Sequence, residues 1–123
     1  MLESGLTYKI LQSVFKVHTA LGPGLLESSY KQCLAYELMQ TGIFFEKEKP
    51  MPLIYKDVQL ECGYRIDLFV ENRVVIEIKA VDTFNEVHLA QILTYMKLSK
   101  TKVGLLLNFN VSSMKNGIKR IAL

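Results

Sequence analysis

The chain has 123 residues, half of them apolar, and a formal net charge of only +3. This is enough for one domain with a single substantial core, and it excludes a low-complexity array and disorder outside the ends. No apolar run reaches the length of a membrane span, the start lacks a signal-peptide pattern, and two cysteines (Cys33 and Cys62) are too few for a disulfide framework. Buried free thiols in a reducing cytoplasm are the expectation.

Residues 5–20 carry Leu6, Ile10, Val14, Val17 and Leu21 at helical spacing, which predicts an amphipathic helix with Ser4 as its N-cap and His18 structural or solvent-facing near its end. Gly22-Pro23-Gly24 breaks it. A second helix is predicted from about Leu25 to Gln40, with Leu26, Tyr30, Cys33, Leu34 and Leu38 inward. Glu27 falls on or beside that apolar stripe. A first-turn carboxylate already suits the helix dipole, so its position alone does not make it functional.

From Ile43 the period changes to two, and Pro50 and Pro52 mark an edge or bend. Leu53–Tyr55 and Val58–Cys62 read as a small hairpin turning at Lys56-Asp57, with Glu46, Glu48 and Glu61 as exposed strand charges. Residues 64–79 read as two further strands joined at Glu71-Asn72-Arg73. With a three-residue turn, Asp67 faces Glu77 and Arg65 faces Lys79, while Ile66, Leu68, Val70, Val74, Ile76 and Ile78 share the opposite, aliphatic face. Like charges directly opposed cost stability. A hard cation between the carboxylates and a phosphate near the cations would reverse that cost. A two-residue turn would instead separate the carboxylates onto opposite faces.

A third helix is predicted over 84–99, with Val87, Leu89, Ile92, Leu93 and Met96 in apolar contact and His88, Gln91 and Tyr95 projecting together. The run Val103–Phe109 predicts a strand covered on both faces, and 112–123 a short amphipathic turn or helix. No acid follows Glu86, whereas Lys97, Lys100, Lys102, Lys115, Lys119 and Arg120 do. A basic surface around an acidic pocket suits a polyanion. The predicted order is α-α-β-β-β-β-α-β with the early hairpin variable, an α/β fold with a mixed central sheet.

Glu27, Asp67, Glu77-Ile78-Lys79, and Gln91 with Tyr95 together resemble the PD-(D/E)XK nuclease superfamily, whose core is αβββαβ; here an extra N-terminal helix precedes it. Gly24-Leu25-Leu26-Glu27-Ser28-Ser29-Tyr30, Gly63–Asp67, Glu77–Val81 and Leu107-Asn108-Phe109-Asn110 are similar to its GxxExxY family. Ile66 stands where the superfamily name has proline. The resemblance implies a single nuclease-like domain over 1–123 that hydrolyses phosphodiester bonds of DNA or RNA by metal-activated water. It implies Mg²⁺ or Mn²⁺ on Asp67, Glu77, the Ile78 carbonyl and, directly or through water, Glu27. Lys79 would then orient water or stabilise negative charge, with Gln91 and Tyr95 supporting it, and Arg65 and His88 would contact phosphate. The small size implies help in capturing substrate from a homodimer or a protein partner. The alternative is a catalytically silent module that binds nucleic acid or a protein without cutting.

Overall fold

The computed structural model describes residues 1–123. Two helices, α1 (Ser4–Leu21) and α2 (Glu27–Gln40), are followed by β1 (Phe45–Pro50), a separate hairpin of β2 (Leu53–Tyr55) and β3 (Val58–Leu60), and the pair β4 (Arg65–Val70) and β5 (Val74–Lys79). Then come α3 (Glu86–Ser99), β6 (Val103–Asn108), a 3-10 turn (Met114–Gly117) and β7 (Ile118–Ala122). The five-stranded sheet has the order β1-β4-β5-β6-β7, with β5 and β6 parallel and the other neighbours antiparallel. It is a mixed α/β sheet flanked by helices, a restriction-endonuclease-like arrangement. No helix is long and apolar enough to cross a membrane.

Each face of the sheet has its own core. Ile10, Val14 and Val17 of α1 and Tyr30, Leu34 and Leu38 of α2 pack on Leu68, Val70, Val74, Ile76, Ile78, Leu105 and Leu107. On the other face, Ile92, Tyr95 and Met96 of α3 pack on Phe69, Val75 and Leu106. Burying one such aliphatic side chain contributes about 1.5–3 kcal/mol, so both helical layers are firmly held. Ile66, expected on one face with Leu68, Val70, Val74, Ile76 and Ile78, instead joins the second core with Met51.

The central hairpin turns through three residues, Glu71, Asn72 and Arg73, so that Val70 pairs with Val74 as its odd length requires. Glu71 and Asn72 both take left-handed backbone (φ 54°), which the tight reversal demands. The covering of β6 on both faces explains why the whole strand is buried. A methyl group at Gly104 would lie 2.7 Å from Met96 Sδ and 3.1 Å from Ile92 Cδ1, so glycine lets α3 sit close over β6. Gly104→Ala should therefore cost about 1 kcal/mol, roughly 4 °C in melting temperature, as α3 shifts to make room. A thermal melt of the variant checks this.

Several expectations are corrected. Ser4 is the first helical residue of α1; Glu3 is its N-cap and makes no side-chain cap bond. Leu26 ends up 73% exposed as the residue before α2, and Val87 is equally exposed on α3. The C-terminal segment, expected as a short turn or helix throughout, makes a 3-10 turn at Met114–Gly117 and then an edge strand beside β6. Cys62 is an exposed free thiol, and Cys33 is only partly buried.

Candidate functional site

The site lies where the central hairpin stops pairing. The β4–β5 ladder ends at Leu68 and Ile76, and in the β1–β4 ladder the register passes from Lys47–Leu68 to Lys49–Ile66, omitting Glu48 and Asp67. Side chains take over the lost backbone bonds. The Asp67 amide donates to Glu77 Oε2 at 2.9 Å, and the Ile78 amide donates to Asp67 Oδ2 at 2.8 Å. Asp67 and Glu77 are thus neighbours across the strands, each bonded to a main-chain amide of β4 or β5.

Glu77 is 3% exposed. Burial first, and then the negative charge of Asp67, push its pKa up to about 8, against the smaller opposing pull of its hydrogen bond with Asp67 and of Lys79 and Lys31. Asp67 is paired differently. Lys31 of α2 places Nζ 3.1 Å from Asp67 Oδ1 and 3.4 Å from Glu48 Oε1. Burial alone would lower the Lys31 pKa, but the hydrogen bond and charge of Asp67, with Glu48 behind them, outweigh it and raise the value.

Lys79, the last residue of β5, donates from Nζ to Gln91 Oε1 at 3.0 Å. Gln91 and Tyr95 project from the same side of α3 because they are four residues apart. Tyr95 is buried beneath them, and its pKa is raised by burial and then by the charge of Glu77, with Gln91 and the Arg65 backbone pulling the other way. Arg65 is exposed at the start of β4. His88 closes the N-terminus of α3: Asn85 Oδ1 accepts from its amide, and its Nδ1 accepts from the Asn85 amide. That capping box occupies Nδ1 and leaves the partly exposed ring at the rim.

Glu27 is the first residue of α2, and Oε1 accepts from the Ala80 amide at 3.3 Å, just beyond Lys79. A small network holds it there. Gly24 takes a left-handed φ of 99°, and its amide donates to Asn110 Oδ1 at 3.2 Å. The Tyr30 hydroxyl donates to Gly22 O at 2.6 Å and accepts from the Leu25 amide at 3.1 Å, while its ring stacks on Phe109 with centroids 4.6 Å apart. Asn108, buried at the end of β6, accepts from the Val81 and Asn110 amides and donates to Val81 O. The Gly24–Tyr30 and Leu107–Asn110 segments are therefore the two halves of one brace around the end of β5.

Glu27, Asp67, Glu77, Ile78, Lys79, Gln91 and Tyr95 all gather at this sheet end or on the face of α3 beside it, but no three His, Cys, Asp or Glu side chains come together to hold a metal by themselves. Glu27 reaches the end of β5 without completing such a cluster. The donor set still fits a hard divalent ion. Mg²⁺ usually takes one or two carboxylates and keeps several waters. Asp67 and Glu77 repel one another, and the Lys31 ammonium already marks the place as one that attracts a cation.

Lys31 and Glu48 did not stand out in the sequence. Lys31 was open to detection, since it lies four residues after Glu27 on the same helix face. Glu48, expected as a plain exposed charge, has a left-handed backbone (φ 54°) that no pattern in a Glu-Lys-Glu-Lys strand announces.

A family model described as the PD-(D/E)XK nuclease superfamily spans residues 4–121, nearly the whole chain. No curated protein and no solved structure gives a match. With the mixed sheet and the strand-end cluster of Asp67, Glu77 and Lys79 in place, the match settles the lineage: the chain belongs to the PD-(D/E)XK nuclease superfamily.

Proposed function

We propose that the protein is a divalent-metal-dependent nuclease hydrolysing phosphodiester bonds in DNA or RNA. The observation that carries this reading is the interrupted hairpin, where a buried Glu77 and Asp67 share a strand gap two residues from a Lys79 held by Gln91. Burying two carboxylates against each other is costly unless something else gains from it. A buried acid raised as Glu77 is, by desolvation and by a specific charged neighbour at a strand end, has the character of a functional-site group.

Asp67, Glu77 and the Ile78 carbonyl would hold Mg²⁺ or Mn²⁺, with Glu27 contributing through water. Such an ion supplies charge neutralisation at phosphorus and a water of lowered pKa. The chain's own groups do the rest. Gln91 Oε1 fixes Lys79 Nζ, which holds water in line or donates to charge developing on a phosphoryl oxygen. Tyr95 supports Gln91 from below. Arg65 and the His88 ring contact flanking phosphates, and the exposed lysines of the C-terminal third draw in the polyanion, so affinity should fall as salt rises. The Gly24-to-Tyr30 brace also supports placement within the GxxExxY family. The two free thiols and the absence of a helix able to cross a membrane support a cytoplasmic setting, and a second copy or a protein partner would supply further substrate-binding surface.

A second reading, binding without cleavage, draws on Lys31, whose ammonium already neutralises Asp67. One experiment separates the two. Single- and double-stranded DNA and RNA are incubated with Mg²⁺ or Mn²⁺ and the wild type, with Lys79→Ala as control. Cleavage by the wild type alone supports the nuclease, and none on any substrate favours the silent module. Equal cleavage by the control would come from a contaminant. In parallel, millimolar Mn²⁺ should raise the melting temperature of the wild type by about 4–8 °C, because the ion prefers the folded state, and Asp67→Asn should lose most of that shift.

A further inference from the structure

Three side chains share a single positive charge. Lys31 Nζ lies 3.1 Å from Asp67 and 3.4 Å from Glu48, and its side chain is 18% exposed against 54% for that of Glu48. Lys31 therefore has one carboxylate on the inner side, toward the strand gap, and one on the solvent side. Glu48 reaches it from a left-handed backbone within β1 (φ 54°), a conformation that is strained for a non-glycine residue. It also stands at the register position opposite Asp67, omitted from the ladder like Asp67 itself. Strained backbone, lost pairing and a shared ammonium coincide at one point of the sheet.

We propose that Lys31 and Glu48 form a displaceable counter-cation, in which the Lys31 ammonium neutralises Asp67 in the metal-free protein and, as a divalent ion binds, leaves Asp67 while Glu48 keeps hold of it. The inference rests on the metal-dependent reading above and extends it to how metal occupancy is set. An ammonium and a divalent ion against the same carboxylate repel one another strongly, so the ion's affinity contains the cost of moving Lys31 away. Glu48 lowers that cost by giving the displaced ammonium a partner. Lys79 differs in kind, since its Nζ is bonded to Gln91. The pair therefore acts as a threshold that keeps the carboxylates neutralised and the site closed to weakly binding cations.

The test is a thermodynamic cycle on the full-length protein, measured by calorimetric titration with Mn²⁺ and checked by circular dichroism for folding. Lys31→Met keeps the aliphatic stem and removes the charge. It should tighten Mn²⁺ binding by about threefold to tenfold, the range expected for loss of one partly buried ion pair. Lys31→Gln must move affinity the same way. Glu48→Gln should weaken Mn²⁺ binding by about twofold to threefold in the Lys31 protein and leave it unchanged when combined with Lys31→Met, since coupled residues are not additive.

Tightening by both Lys31 variants, with the Glu48 effect vanishing in the combined variant, establishes the device. Unchanged or weaker binding by Lys31→Met overturns it while leaving the metal site standing. Equal weakening by Glu48→Gln in both backgrounds makes Glu48 a ligand and also overturns the proposal, as does a Glu48→Gln variant that binds like the wild type. Binding by the Lys31 variants alone supports the threshold in its strongest form. Failure of every protein to bind Mn²⁺ removes the metal-dependent reading itself, and the counter-cation with it.

Discussion

Lys79→Ala is expected to lower the rate of phosphodiester hydrolysis by about 10²–10⁴-fold, the range typical of losing a positioned proton donor or charge stabiliser. Its melting temperature should stay within about 2 °C of the wild type, because a partly exposed side chain away from the core carries little of the fold. Lys79 sits at the last position of β5, where it contributes a backbone carbonyl to the Phe109 amide and a side chain to Gln91. The substitution keeps the first and removes only the second. Because Lys79 is not a ligand in the proposed site, Mn²⁺ affinity should hold, and loss of a neighbouring cation should if anything strengthen it. Single-turnover cleavage at saturating metal, alongside a Mn²⁺ titration, separates the two effects. A variant that loses rate and metal binding together would place Lys79 in the support of the ligand set, outside the reaction.

Glu77→Gln is expected to stabilise the metal-free protein. The Glu77 pKa is raised from its ordinary value of 4.5 to about 8 by burial and by Asp67. A carboxyl group whose folded-state pKa exceeds its unfolded one keeps its proton longer in the folded protein. Between pH 4.5 and about 8 the folded state thus binds the extra proton, and stability falls with rising pH through that window. The contribution is fully present below 4.5 and lost above about 8. Glutamine retains an oxygen to accept from the Asp67 amide and carries no charge, so the variant escapes this loss. At pH 8.5 its metal-free melting temperature should exceed that of the wild type by about 5–10 °C. Near pH 4.5 the two should converge. With Mn²⁺ the order should reverse, since the ion stabilises only the ionised acid. Melting curves over pH 4–9, with and without metal, measure both. A glutamine variant less stable than the wild type at pH 8.5 would mean that the buried carboxylate is already fully compensated.

Legibility in the sequence followed local physics. Once the turn has three residues, its odd length determines which residues of β4 and β5 face each other, so the Asp67–Glu77 relationship followed from the hairpin alone, with only the turn length left open by the sequence. The i, i+4 spacing likewise placed Gln91 and Tyr95 together. Tertiary competition set the rest. Helical phase alone could not show that Leu26 and Val87 lie beyond the reach of the sheet and stay exposed. Ile118–Ala122 has no clear alternation, because β7 takes its register from the completed edge of β6. Most consequential was Glu48. A left-handed glutamate in a strand goes with the omission of Glu48 and Asp67 from the β1–β4 ladder, and neither its identity nor its neighbours in sequence encode that.

The break in the ladder also gives the protein built-in spectroscopic reporters. In an ordinary hairpin, amide protection follows the opening of backbone pairs, whereas the Asp67 and Ile78 amides are protected by carboxylate side chains. Any event that draws those carboxylates elsewhere, whether protonation, ion binding or substrate, changes the two amide environments without unfolding a strand. In a ¹⁵N-labelled sample their resonances should therefore shift, and their hydrogen exchange change rate, ahead of those of Phe69 and Val75, which are paired residues deeper in the same hairpin. Occupancy of the site becomes readable at two main-chain nitrogens, independently of any turnover.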